Sequence, residues 1–183
     1  MKIKKIKVYQ KDLGNKRPYT IAFKTVDKVY NALVEIELEN GIIGYGSGNP
    51  SEYVVGENLT STMDVLNAGD LDFIKGRDIR HFYSILNDIQ ETLPKNPAAR
   101  AALDIAIHDA FTKYLDIPLA QFLGQRINSL PTSVTIGIKN VEDTLEEAQE
   151  YYGMGFRIVK VKTGKSLEED IAWVKKLREI FGM

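Results

Sequence analysis

The chain has 183 residues, enough for one or two domains, with 44% apolar and 27% charged residues, an ordinary balance for a soluble globular protein. Its 24 basic and 25 acidic residues leave a net charge of −1, which gives no footing for a nucleic-acid or anionic-membrane surface. Without cysteine there is no disulfide framework, thiol nucleophile or thiolate metal site, and no apolar run reaches the length of a membrane span.

The first seven residues are basic, but no apolar segment follows them, so they do not read as a signal peptide and the cytoplasm is the expected location. Residues 2–9 mix lysines with Ile3, Ile6, Val8 and Tyr9 and predict a strand with one wet face. Residues 28–39 predict a second strand, and Asn40-Gly41 is a strong hairpin signal returning the chain into a third through Ile42, Ile43 and Tyr45. Residues 19–25, and the glycine-rich stretch 44–50 with its continuation to 60, read as candidate mobile loops. The glycines at 44, 46 and 48 lack the lysine and helix of a phosphate loop.

Residues 57–123 read as helical. Asn96-Pro97 predicts an N-cap and first turn for an alanine-rich helix to Leu115, buried among other helices. Residues 130–138 predict a strand, Asn140 opens a helix to about Tyr152, and a capping box at Ser166 to Glu169 opens the last helix. His81 and His108 fall on helices and read as surface or core histidines, and Glu168 and Glu169 as helix-terminus residues.

Between those last two helices lies residues 156–164, a short strand stopped by Gly164. Successive strand side chains alternate faces, so Phe156, Ile158, Lys160 and Lys162 share one and Arg157, Val159, Val161 and Thr163 the other. The two lysines are roughly 6.5 Å apart along the strand. An isolated Lys-x-Lys is more often a solvated face. Helical patterns on both sides suggest instead βαβ units and a parallel sheet covered on both faces. In a (β/α) barrel the apolar parity faces the helices, the other faces the lumen, and the C-terminal strand ends face the active site.

The order of these elements resembles the enolase superfamily, in its muconate-lactonizing subgroup. The residues that carry the resemblance are the run from Arg100-Ala101-Ala102-Leu103-Asp104 to His108-Asp109, then Leu115-Asp116-Ile117-Pro118-Leu119 and Phe122-Leu123-Gly124. Val134-Thr135-Ile136-Gly137 with Val159-Lys160-Val161-Lys162 is most similar to the dipeptide epimerases of the L-Ala-D/L-Glu type. The resemblance implies an α+β capping domain over residues 1–127, then residues 128–183 as the first two βα units of a TIM-type barrel. Too few residues follow 127 to complete a barrel, which takes about 250.

The resemblance also implies a 1,1-proton transfer next to a carboxylate, supported in the full-length enzyme by Mg2+. Lys162 is then one of two bases on opposite faces of the intermediate, and Lys160 lies near the carboxylate. Lys24 would meet an acidic substrate side chain from a closing loop. Thr135 would be a polar pocket contact, with Tyr19 and Val54 as apolar lining. The family's metal ligands lie on later strands, so none is expected in this chain, which by itself is expected to be inactive. The expected partners are a small carboxylate substrate and further copies of the chain, with no nucleic acid and no membrane. The alternatives are a muconate cycloisomerase, an o-succinylbenzoate synthase, or a non-catalytic fragment that associates with itself or a partner.

Overall fold

The computed structural model describes residues 1–16, 18–21, 24–68, 70–164 and 166–182, with the side chains of Tyr19, Ile21, Lys24 and Asp70 outside the described set. The elements in chain order are β1 (Ile3–Asp12), β2 (Tyr19–Ile21), β3 (Lys24–Val26), β4 (Tyr30–Leu38), β5 (Ile43–Gly48), α1 (Glu52–Val55), α2 (Leu59–Asn67), α3 (Phe82–Thr92), α4 (Pro97–Tyr114), α5 (Leu119–Phe122), β6 (Ser133–Ile136), α6 (Val141–Gly153), β7 (Ile158–Val161) and α7 (Leu167–Phe181). Two compact units result: Met1–Gly14 with Val29–Arg126, and Asn15–Lys28 with Ile127–Met183.

The first unit holds an antiparallel sheet in the order β1-β4-β5. Alternation places Ala32, Val34, Ile36 and Leu38 of β4 in the core, and Gly41 takes the positive φ (85°) that the β4–β5 turn requires. β5 runs three residues further than the sequence reading, and the glycines read as a mobile loop are strand interior. Gly44, Gly46 and Gly48 share one face, and a Cβ on any of them would overlap the backbone of α4 at Ala106, Ala102 and Ala98. Four helical residues rise about 6 Å and two strand residues about 6.6 Å, so alanines at every fourth position of α4 match glycines at every second position of β5. The helix therefore lies directly on the strand backbone.

At the start of α4, Asn96 stands at the N-cap position with Pro97 in the first turn, as the sequence reads, but its own side chain makes no cap hydrogen bond to the helix. The buried Glu57 carboxylate does that work, accepting from Ala98 N at 2.6 Å and Asn96 Nδ2 at 3.2 Å. A carboxylate at a helix N-terminus satisfies the orphan N–H groups and complements the macrodipole. Its position 41 residues away in sequence hid it.

In the second unit β6 and β7 run parallel, with Thr135 opposite Lys160 and Ile136 opposite Val161. The crossover is α6, opened by Asn140, whose side chain accepts from Asp143 N. Ser166 caps α7 in the same way through Glu169 N. Ile136, Ala148, Trp173, Leu177 and Phe181 form a separate core, with Val159 and Val161 packed against it. Residues 19–25, read as a loop, hold instead the paired strands β2 and β3, with Ala22 and Phe23 outside the described residues. Asn15 Nδ2 donates to Val26 O at 3.4 Å, and Ile138 N donates to Thr20 O at 2.9 Å, tying this hairpin to the segment beyond β6.

Candidate active site

Because Val159 and Val161 turn toward the helices, Lys160 and Lys162 turn the other way, as alternation requires. Both line an open groove of about 600 Å³. Lys162 sits just past the end of β7, where its N–H donates to Ile136 O at 3.2 Å and so continues the ladder. Thr135 and Gly137 line the groove from the β6 side, Asn15, Lys16 and Pro18 from the segment before β2. Lys139, Glu147, Tyr151, Met154 and Phe156 complete it.

The charges are sorted within this wall. Lys139 Nζ lies 3.0 Å from Glu147 Oε2, and the Tyr151 hydroxyl donates to Glu147 Oε1 at 3.0 Å. Tyr151 meets the Phe156 ring edge-on at 5.8 Å. Among the described residues the side chains of Lys16, Lys160 and Lys162 have no ion-pair or hydrogen-bond partner. Two amines lining one groove can bind a carboxylate and, when neutral, take up a proton.

Of the residues singled out from the sequence, the structure brings Lys160, Lys162 and Thr135 together in this groove. Tyr19 and Lys24 fall on β2 and β3 of the same unit by their backbone, and their side chains lie outside the described residues. Val54 lies on α1 in the first unit, 74% exposed. His108 packs edge-on to Phe82 and contacts Asp104, as a structural histidine does. Sequence reading missed Lys16, Lys139, Glu147 and Tyr151. The i, i+4 spacing of Glu147 and Tyr151 on α6 was the available signal for the last two. Among the described residues no group of three or more His, Asp or Glu could hold a metal ion. Glu147, the one carboxylate among the described residues lining the groove, is already engaged by Lys139 and Tyr151. The described residues therefore do not fit a metal site.

The N-terminal domain of the mandelate racemase / muconate lactonizing enzyme family matches residues 4–124. The chain belongs to that family. Within the mandelate racemase / muconate lactonizing enzymes it is 46% identical to the L-Lys-D/L-Arg epimerase of Desulforapulum autotrophicum, over 99% of this chain and 51% of the relative. It is 32% identical to the L-Ala-D/L-Glu epimerase of Thermotoga maritima, over 98% of this chain and 51% of that protein. The Methylococcus capsulatus dipeptide epimerase, solved with Mg and the dipeptide L-Arg-D-Lys, superposes with a TM-score of 0.95 at 42% identity, covering 100% of this chain and 51% of the other. The chain thus spans about half the length of the curated relatives it matches.

Proposed function

We propose that this chain forms the capping domain (residues 1–127) and first barrel strands (residues 128–183) of a dipeptide epimerase. Its groove works on the carbon next to the substrate carboxylate. The observation that supports this best is the pair Lys160 and Lys162, side by side in one groove with Thr135 across the parallel ladder. In this reading Lys160 contacts the carboxylate. The neutral Lys162 amine takes the α-proton from one epimer, and a base outside this chain returns a proton to the opposite face. The magnesium seen with the M. capsulatus enzyme finds no ligand cluster among the described residues. Proton transfer and carboxylate contact are therefore the steps assigned to this chain.

The D. autotrophicum L-Lys-D/L-Arg epimerase shares more of the sequence than the T. maritima L-Ala-D/L-Glu epimerase, so a basic dipeptide is the first substrate to test. Lys24 remains the proposed contact for an acidic side chain. Lys24→Ala should raise KM for Ala-Glu about 10-fold or more over that for Ala-Ala, and equal effects would leave it a loop lysine. The deciding experiment follows α-hydrogen exchange by NMR in deuterated water with Mg2+, using a polypeptide extended to the length of its relatives. Lys162→Ala should abolish epimerisation while one epimer still exchanges. Loss of exchange for both epimers would make Lys162 an electrostatic group rather than a face-specific base. The 183-residue chain alone should give no exchange; exchange there would mean that the chemistry has been assigned to the wrong residues.

A further inference from the structure

Among the described residues Glu147 is the one carboxylate lining the groove, and the residue is only 6% exposed. A carboxylate buried to that degree persists only with close partners. Glu147 has them on both oxygens, Lys139 Nζ at Oε2 and the Tyr151 hydroxyl at Oε1. Its carboxylate is thus engaged by side chains of the same wall. Its effect on the groove is one of charge. Among the described residues four lysines line the cavity; Lys139 is ion-paired with Glu147, and Lys16, Lys160 and Lys162 have no ion-pair partner.

We propose that Glu147 is a specificity-determining residue that sets the charge of the groove. By neutralising Lys139 it keeps a fourth cation away from the ligand, so the site takes a single carboxylate and does not over-stabilise multiply charged anions. The proposal rests on the reading of this groove as the site of the dipeptide carboxylate. Glu147→Gln keeps the volume and an oxygen for Tyr151 but releases Lys139 as a free cation into the wall. A purely structural ion pair, once broken, would leave anion affinity unchanged or lower it. A charge-setting one raises it.

The test titrates the 183-residue chain with succinate and with propionate, following the amides of Thr135, Lys160 and Lys162 by NMR. Glu147→Gln should bind succinate about fivefold more tightly, the effect of one added, partly exposed cation. It should also widen the preference for succinate over propionate. The double variant Lys139→Met with Glu147→Gln carries neither charge and should return to the parent affinity. Succinate binding that a folded Glu147→Gln chain leaves unchanged or weakens overturns the proposal while the carboxylate groove stands. Should Glu147→Gln not fold, the double variant decides: parent-like affinity supports the proposal, and a clear loss of affinity overturns it. No response of Lys160 or Lys162 to either anion in the parent chain overturns the groove reading and this proposal together.

Discussion

β1 and β7 both carry lysines among apolar residues, and they differ in what faces those lysines across the sheet. On β1, Lys5 and Lys7 stand opposite Glu37 and Glu35 of an antiparallel neighbour. Lys4 Nζ lies 2.7 Å from Glu37 and Lys7 Nζ 3.4 Å from Glu35. On β7, Lys160 stands opposite Thr135, and no acid is paired with either lysine among the described residues. Opposite charges across a ladder are ordinary sheet stabilisation. Two cations with no acid opposite them, lining one groove, are where function is to be sought. Alternation is common to both strands, and the neighbour decides between them.

The comparison predicts a sharp split under substitution. At β7, Lys162→Met in an enzyme-length protein should cut epimerisation about 10²- to 10⁴-fold, the usual worth of a general base. Its unfolding free energy should stay within about 0.5 kcal/mol of the parent. An unfolding loss that matches the activity loss would put Lys162 in the same class as the β1 lysines. The framework side should respond in the opposite sense. Gly46→Val drives a side chain into the α4 backbone at Ala102 and should cost about 3 kcal/mol or more, read by urea unfolding. A mild effect there would mean that α4 can lift from β5.

Smaller effects belong to β1. Lys4→Met and Lys7→Met together should leave activity intact and the melting temperature within about 3 °C of the parent. A loss of activity would erase the distinction between the strands. The smallest effect is a titration. The hydrogen bond from Lys4 holds the Glu37 carboxyl below its ordinary range, against the opposing push of desolvation. The stability it contributes is present above the unfolded-state value and is lost as pH falls through the lowered folded value. NMR titration of Glu37 should show this depression, and Lys4→Met should move it back up. An ordinary value in the parent chain would mean that the pair does not hold in solution.

Much of this architecture was legible because it rests on local period and punctuation. Asn40-Gly41 marked the β4–β5 turn, the capping residues Asn140 and Ser166 marked α6 and α7, and the parity of β7 put its valines and lysines on opposite faces. The errors came where the deciding partner is remote in sequence. Gly44, Gly46 and Gly48 suggested a loop, because the alanines that require them lie 50 or more residues on. Asn96 is the N-cap residue as read, but nothing local announced that the capping carboxylate would be that of Glu57. In the groove, Lys160, Lys162 and Thr135 followed from strand parity and resemblance. Lys16 could not, because its place depends on the hairpin tie from Ile138 N to Thr20 O.

The glycine ladder of β5 also limits how this gene can drift. Any base change in the first or second codon position at 44, 46 or 48 replaces glycine, and every replacement adds at least the Cβ that α4 leaves no room for. Those three codons can vary only at their third base. The neighbouring positions, Tyr45 and Ser47, point to solvent and carry no such restriction. A deep mutational scan across β5 should therefore read as alternating intolerant and permissive sites, a period of two written by a helix that lies far downstream in the message.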